Sequence, residues 1–307
     1  MRQRALLLIN RHSRRGEKNL SNAVNKLQEL GFELLLEWPE KPHQLSSIIQ
    51  KNSDRVDLAI VGGGDGTLNA AAEGLIETQI PLGILPLGTA NDLARTLGIP
   101  ASLPQACQII ANGQIKKIDL GCVNGKLFFN VASLGLSVKI TQQLTKEAKR
   151  RWGVLAYVAT AMQVIWQTRP FQAEIHQGDN IIQTKTVQIA VGNGRYYGGG
   201  AIVRDDATIN DQRLDLYSLE IKHWWQLLLT LPGIQQGQHA EWLGVRTLEG
   251  REFEVITKVR RPINTDGEIT TYTPAKFRLI PEALSVIVPP SPDIPGLTEN
   301  KLNDMAK

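Results

Sequence analysis

The sequence has little that would cross-link the chain or anchor it in a membrane. It contains only two cysteines, Cys107 and Cys122, with no CxxC spacing, so a disulfide framework is excluded and reduced thiols in a cytoplasmic protein are predicted. The five histidines form no zinc-binding spacing. The longest apolar stretch, Trp152 to Trp166, is shorter than the ~20 residues that span a bilayer, which indicates a soluble protein or one peripheral to a membrane.

The charge balance is only mildly positive. The chain carries 34 Lys and Arg against 30 Asp and Glu, a net charge of +4, which is too small to indicate a nucleic-acid partner. Of its 307 residues, 42% are hydrophobic and 21% are charged, as in ordinary globular proteins. The length is about twice that of a typical domain, so two domains are expected.

Strands and helices alternate through the first third of the chain, which predicts a parallel, doubly wound sheet. Short apolar runs predict strands at 4–9, 32–36, 57–61 and 81–85. Apolar residues at helical spacing predict helices at 20–30, 43–50, 68–76 and 90–97.

After residue 119 the pattern changes to one of alternating apolar and polar residues, with one long helical stretch at 138–167. This pattern is typical of an antiparallel sandwich. Strands are predicted at 128–132, 187–191, 213–219, 252–257, 276–280 and 284–288. We therefore expect an N-terminal α/β domain at 1–122, a C-terminal antiparallel β-sandwich at 123–288 and a flexible tail at 293–307. A segment near 284–292 is expected to pack back on the first domain.

The strongest chemical signal is a strand that runs into Gly62-Gly63-Gly64-Asp65-Gly66 and then into a helix. Glycines allow a close approach to phosphate, and the start of a helix favours anions. The loop is not a Walker A motif, and Thr67 stands where GxGxxG has its third glycine. Asp65 would repel phosphate unless it binds Mg²⁺, orients a hydroxyl or accepts a proton, which favours phosphoryl transfer. A plain glycine-rich turn is the alternative.

Two further polar loops are expected at the same edge of the sheet. Residues 85–94, LPLGTANDLA, again lead from a strand into a helix, and Thr89 is either a ligand of phosphate or a helix cap. Residues 10–16 follow the first strand and carry three arginines and one histidine beside serine. Because the carboxyl ends of parallel strands form the binding edge of such sheets, the three loops predict a crevice for a polyphosphate.

The segments GGGDGTLN (62–69), LPLGTANDLA (85–94) and DGE (266–268) together resemble the diacylglycerol kinase-like lipid kinases. That group includes bacterial diacylglycerol and phosphatidylglycerol kinases and the sphingosine and ceramide kinases. The resemblance extends to about residue 290, although GGDG alone is shared with NAD kinases and phosphofructokinases. It implies that the first domain binds ATP and that the γ-phosphate passes, with Mg²⁺ present, to a lipid hydroxyl. A role in lipid metabolism and phospholipid biosynthesis follows.

The resemblance also implies the site residues. Glu268 would be the catalytic base, with Asp65 assisting, although Asn264 to Gly267 alone reads as a hairpin turn. The residues implied to bind nucleotide are Asn10, Ser13, Gly63, Gly64, Asp65, Gly66, Thr67, Leu68, Asn69 and Thr89. Arg11 and Arg14 stand where the family usually has proline and glycine.

A structural Mg²⁺ site is implied at Asp211, completed by the backbone carbonyls of Thr208 and Arg213, since hard cations favour oxygen ligands. Gln212 stands where the family has glycine. The alternative from the residues alone is that Asp211 caps an ordinary turn.

Three matters remain open at this stage. Trp152 to Trp166 and the aromatic run at 223–229 favour packing within or between domains, with contact to a membrane surface as the alternative. A soluble-metabolite kinase of the NAD kinase type and a non-catalytic nucleotide-binding protein are the alternative functions. The sequence leaves open the lipid, the nucleotide preference and the oligomeric state.

Overall fold

The computed structural model describes residues 3–9, 16–143, 168–193, 196–197, 201–202, 208–221 and 244–290. The helices in these ranges are α1 (Gly16–Glu29), α2 (Leu45–Asn52), α3 (Asp65–Thr78), α4 (Asp92–Thr96), α5 (Leu103–Asn112) and α6 (Leu136–Gln143). The first nine strands are β1 (Arg4–Ile9), β2 (Glu33–Glu37), β3 (Leu58–Gly63), β4 (Leu82–Pro86), β5 (Gln114–Val123), β6 (Lys126–Phe128), β7 (Val131–Gly135), β8 (Phe171–Gln177) and β9 (Asn180–Thr186). The others are β10 (Gln188–Gly192), β11 (Tyr196–Tyr197), β12 (Ala201–Ile202), β13 (Leu214–Leu219), β14 (Val245–Gly250), β15 (Glu252–Thr257), β16 (Pro262–Thr265), β17 (Glu268–Tyr272) and β18 (Ala275–Val288).

The first domain is built on four parallel strands in the order β2-β1-β3-β4. The continuous apolar runs of β1 and β3 are buried along almost their whole length, as expected for strands covered by helices on both faces. Helix α1 is followed by Gly31 at φ +93°, a left-handed conformation that suits glycine and ends the helix. The α/β architecture predicted for this part of the chain is confirmed.

The second domain is a sandwich of two sheets. One sheet has the order β14-β13-β10-β7-β16-β17, and the other continues from the first domain through β18-β15-β8-β9. Leu134, Ile189 and Leu216 of one sheet share a buried cluster with Ile175 and Phe277 of the other. The predicted antiparallel β-sandwich is therefore confirmed.

The strand β18 belongs to both domains. It pairs antiparallel with β5 from Phe277 opposite Val123 to Val288 opposite Gln114, and Val286 lies opposite Leu82 of the parallel strand β4. The sequence predicted two strands here, at 276–280 and 284–288. The structure has one strand with an irregularity between Ile280 and Leu284, where Glu282 has φ +48°.

Asp119 of β5 holds that irregularity in place. Its side chain is buried, with Oδ1 accepting the Glu282 N–H at 2.7 Å and Oδ2 accepting the Gln212 N–H at 2.8 Å. A bulge frees backbone groups from the sheet ladder, and a buried N–H needs an acceptor. The aspartate therefore satisfies the bulge of β18 and at the same time fastens the 208–213 turn to β5.

Among the helices in the described ranges, none combines the length and the apolar character that crossing a bilayer requires.

We expect Asp119→Ala to lower the free energy of unfolding by about 2–4 kcal/mol, because two backbone N–H groups lose a charged acceptor. Equilibrium denaturation in urea measures this loss. Asp179→Asn, in the exposed turn between β8 and β9, is the matched control and should change stability by less than about 0.5 kcal/mol. Equal stability of the two variants would contradict the role given to Asp119.

Candidate active site

The loops that follow β3 and β4 touch each other through two glycines. A Cβ added to Gly88 would lie 2.4 Å from the Cα of Gly64, a distance that no side chain tolerates. The Leu87 N–H donates to the Gly63 carbonyl at 3.0 Å, so the two strand ends stay paired up to this contact. Glycine at both positions lets the two backbones form one continuous surface at the carboxyl edge of the sheet.

The start of α3 supplies backbone donors to that surface. Thr67 and Leu68 donate their N–H groups to the Gly64 carbonyl at 2.9 and 3.1 Å. The N–H groups of Asp65 and Gly66 precede these bonds and have no acceptor within the helix. Gly66 is exposed to solvent. With the helix dipole behind them, these two donors suit an anion such as phosphate.

The Asp65 carboxylate connects the two loops. Its Oδ1 accepts the backbone N–H of Leu93 at 3.0 Å, in the first turn of α4. Asn91 precedes α4 and closes its own loop, since its Oδ1 accepts the Gly88 N–H at 2.9 Å. Thr89 lies exposed between them. Asp65 therefore has a positioning role in the structure, which its sequence context alone did not indicate.

The hairpin β16–β17 approaches this edge from the second domain. Asp266 and Gly267 form its two-residue turn with φ of +48° and +100°, and Thr265 pairs with Glu268 across it. The Gly267 N–H donates to Asn264 Oδ1 at 2.8 Å. An Asp-Gly pair with both φ angles positive is the turn that matches the twist of a hairpin.

The Asp266 carboxylate fixes the hairpin to the bend between β6 and β7. It accepts three backbone N–H groups, from Phe129 at 2.6 Å, Asn130 at 3.0 Å and Val131 at 3.1 Å. These bonds explain why the single strand predicted at 128–132 is interrupted, because its amides are turned toward Asp266. Burial raises the pKa of Asp266 to about 6, and the charge of Asp65 adds to this, against the opposing effect of the three donors.

Glu268, two residues later, faces the start of α3. Its Oε1 lies 3.2 Å from the position that a Cβ on Gly66 would occupy. The residue is exposed to solvent, so its carboxylate is accessible at the point where the second domain meets the start of α3. A carboxylate at this place can accept a proton from a group that lies beside an anion bound at Gly66.

Two of the other predicted nucleotide ligands have their side chains turned elsewhere. Leu68 is buried, so it can present only its backbone to a ligand. The Asn69 amide donates to the Leu127 carbonyl at 2.9 Å and lies 3.5 Å from an Asp266 carboxylate oxygen. Asn69 thus joins α3 to the second domain. Asn10 and Ser13 lie outside the described residues, as do Trp152 to Trp166 and residues 223–229.

The residues of the predicted metal site lie in one turn, and Asp211 faces a guanidinium. Its carboxylate accepts the N–H groups of Thr208 at 3.1 Å and Arg213 at 3.2 Å, and Arg213 Nε lies 3.3 Å from its Oδ2. The Thr208 carbonyl accepts the Asp211 N–H at 3.2 Å. This arrangement fits an ion pair with Arg213 better than a divalent cation, and Mg²⁺ binding here stays a prediction.

One buried residue at the domain junction was not singled out from the sequence. Asn193 donates its amide to the carbonyls of Asp119 and Phe129 at 3.0 and 2.8 Å, and its N–H to the Asn130 carbonyl at 2.8 Å. It supports the bend that receives Asp266. The only signal in the sequence is a polar residue directly after the apolar strand β10.

Two family models match the chain. Residues 4–123 match the diacylglycerol kinase catalytic domain, and residues 130–288 match the YegS C-terminal NAD kinase beta sandwich-like domain. The loops at Gly64 and Gly88 fall in the first match, and Glu268 falls in the second.

Curated relatives and a solved structure align with nearly the whole chain. A YegS-like lipid kinase of Enterobacter sp. strain 638 is 33% identical over 93% of this chain and 96% of its own. The diacylglycerol kinase of Bacillus subtilis strain 168 is 27% identical, over 94% and 97% of the two chains. The crystal structure of a candidate diacylglycerol kinase from Bacillus anthracis strain Sterne has a TM-score of 0.80 at 25% identity, covering 95% and 96%.

The raised pKa of Asp266 predicts a pH-dependent stability. The folded value of about 6 lies above the ~3.9 of an unfolded aspartate, so protonation favours the folded state. This contribution is complete below about pH 4 and is lost as the pH rises through 6. Relative to Asp266→Asn, the wild type should lose about 2 kcal/mol of stability between pH 4 and pH 7.

Urea denaturation of both proteins across that range measures the difference. Asp54→Asn, at an exposed position before β3, is the control and should follow the wild type at every pH. Parallel profiles for wild type and Asp266→Asn would show that the Asp266 pKa is not raised by folding.

Proposed function

The chain belongs to the family of diacylglycerol kinase-like lipid kinases, and from that premise we propose that it transfers the γ-phosphate of ATP to a lipid hydroxyl. Diacylglycerol and phosphatidylglycerol are the proposed acceptors. The observation that carries the proposal is the position of Glu268, whose Oε1 lies 3.2 Å from the place of a Cβ on Gly66. An acid from one domain thus faces the anion-binding helix start of the other.

The two glycine loops would hold the triphosphate. The N–H groups of Asp65 and Gly66, which have no acceptor within α3, belong to the same loop that contacts Gly88 through Gly64. Donors that are already fixed by the fold stabilise the charge of the γ-phosphate in the transition state without further reorganisation. Thr89, exposed at the tip of the second loop, is a further donor for the nucleotide.

Glu268 would act as the general base. It takes the proton of the lipid hydroxyl while the hydroxyl oxygen forms a bond to the γ-phosphorus. The bond from that phosphorus to the bridging oxygen breaks, and ADP leaves with the electron pair. A base on a hairpin that Asp266 fixes in place needs no ordering at the moment of reaction.

Mg²⁺ neutralises phosphate charge in this kind of chemistry when it is bound with ATP. Asp65 would be its protein ligand, because Oδ1 accepts the Leu93 N–H while Oδ2 forms no hydrogen bond within the described residues. The Asp211 carboxylate is paired with Arg213 and has no role in this phosphate transfer.

A kinase for NAD or another soluble metabolite is the second candidate. The description of the model that matches residues 130–288 names an NAD kinase-like sandwich, which favours testing this alternative. Incubation with labelled ATP, Mg²⁺ and a panel of diacylglycerol, phosphatidylglycerol, sphingosine, ceramide and NAD distinguishes the two. If NAD is the acceptor that becomes labelled and no lipid does, the protein is a soluble-metabolite kinase and the lipid assignment is wrong.

We expect Glu268→Gln to lower kcat by at least about 100-fold, because the amide cannot accept the hydroxyl proton. The fold should be retained, since Glu268 is exposed. Phosphate transfer to dispersed diacylglycerol measures the loss. Glu73→Gln, at an exposed position later on α3, is the matched control and should keep full activity. Full activity of Glu268→Gln would refute its role as the base.

Variants of Asp65 separate positioning from metal binding. Asparagine keeps an acceptor for the Leu93 N–H but loses the charge, whereas alanine loses both. If the charge binds Mg²⁺, both variants should lose activity by at least about 100-fold and Asp65→Asn should need more Mg²⁺ for half-maximal rate. If Asp65 only positions α4, Asp65→Asn should keep most of its activity and Asp65→Ala should not. Titration of the rate with Mg²⁺ measures the difference.

A further inference from the structure

The turn between β15 and β16 projects an apolar side chain among basic ones. We call residues 258–261, Lys-Val-Arg-Arg, the basic turn. Val259 at its tip is 67% exposed, and Tyr272, which pairs with Pro262 beside it, is 44% exposed. Large apolar side chains exposed next to cations are the composition of a surface that enters the headgroup region of a membrane.

The positive charge of this surface has no counter-charge in the described part of the chain. Within that part, no salt bridge is formed by the three cations of the basic turn, Lys258, Arg260 and Arg261, or by Lys139 of the adjacent α6. Burial, and then the charge of Arg261, lowers the pKa of Lys139, so the two cations are close enough to repel each other. An external anion would relieve that repulsion.

The fold holds the basic turn in a fixed shape. The Thr257 hydroxyl donates to the Val259 carbonyl at 2.9 Å and contacts the Thr273 hydroxyl at 2.6 Å, which in turn accepts the Arg261 N–H at 2.9 Å. Arg261 stacks over Phe171 at 3.9 Å from the ring centroid, and Arg260 over Tyr272 at 4.6 Å. Because the turn is already ordered, little conformational entropy is lost when it binds a surface.

The basic turn is also close to the candidate base. Glu268 and Tyr272 lie at opposite ends of β17, about 13 Å apart at the usual rise per residue. One leaflet of a bilayer is about 20 Å thick, including headgroups. A membrane that meets the basic turn therefore lies within one lipid length of Glu268.

From these observations we propose that the basic turn, with Tyr272 and Lys139, is the surface by which the protein binds an anionic bilayer. Val259 and Tyr272 enter the headgroup region, while Lys258, Arg260, Arg261 and Lys139 attract anionic headgroups. The role of this surface in bringing the enzyme to its substrate rests on the proposed lipid kinase activity. Binding to the bilayer itself can be measured without catalysis.

Co-sedimentation of the full chain with vesicles tests the proposal. The wild type should bind vesicles of phosphatidylglycerol and phosphatidylcholine, and bind pure phosphatidylcholine much more weakly. Each basic residue near an anionic surface strengthens binding by roughly fivefold, so Lys258→Gln/Arg260→Gln should weaken it by about 25-fold. Val259→Ser should weaken it as well, without any change in net charge.

The control is Lys41→Gln/Lys51→Gln, which removes the same charge from exposed positions of the first domain. It should bind nearly as the wild type does. Failure of the wild type to bind anionic vesicles, or equal losses in control and test variants, would overturn the proposal. Binding to a DNA oligonucleotide is measured in the same way. If the wild type binds DNA more tightly than vesicles, and the test variant loses as much affinity for DNA as for vesicles, the surface is assigned to nucleic acid instead.

A second readout separates this inference from the proposed kinase activity. On short-chain diacylglycerol dissolved as monomers, Lys258→Gln/Arg260→Gln should phosphorylate as fast as the wild type, while on vesicles its rate should fall with its binding. If the variant loses vesicle binding and the wild type phosphorylates no alcohol, the kinase assignment is contradicted while the assignment of the membrane surface is retained. If the variant and the wild type are equally active on vesicles, only the assignment of the membrane surface is contradicted, and the kinase assignment is unaffected.

Discussion

The carboxylate of Asp266 is the interaction on which the arrangement of the site depends. It begins the turn that carries Glu268, and its oxygens accept three backbone N–H groups from the bend where the chain passes between the two domains. A buried charge is tolerated only when it is well bonded, and here the donors come from a segment more than a hundred residues away. The same contacts therefore offset part of the cost of burial and determine where Glu268 lies relative to Gly66.

The second constraint is steric and lies in the first domain. Gly64 and Gly88 meet at a distance that excludes a Cβ, so the loops after β3 and β4 act as one surface. Asp65 reinforces the contact by accepting the Leu93 N–H. The helices that follow two neighbouring parallel strands thus begin side by side at the carboxyl edge of the sheet. This is the general reason why α/β sheets bind anions at this edge.

Much of this arrangement could be predicted from local sequence. The strand, glycine loop and helix at 57–76 follow from composition, and the Asp266-Gly267 turn follows from its two residue types. The approach of Glu268 to Gly66 could not be predicted in this way, because it depends on a contact between segments about 200 residues apart. Only the family resemblance indicated it. The break at 129–130 and the continuous strand across Pro281 were missed for a similar reason: both depend on distant carboxylates, those of Asp266 and Asp119.

The strand β18 has a consequence for how the protein can be made. It is the only described partner of β4 on the side away from β3, and it also pairs with most of β5, although it begins within the sandwich. A fragment ending at residue 123 would expose both strand edges and invite aggregation. The sheet of the first domain is thus completed by a strand that is synthesised after nearly all of the second domain, so during translation the two domains finish folding together.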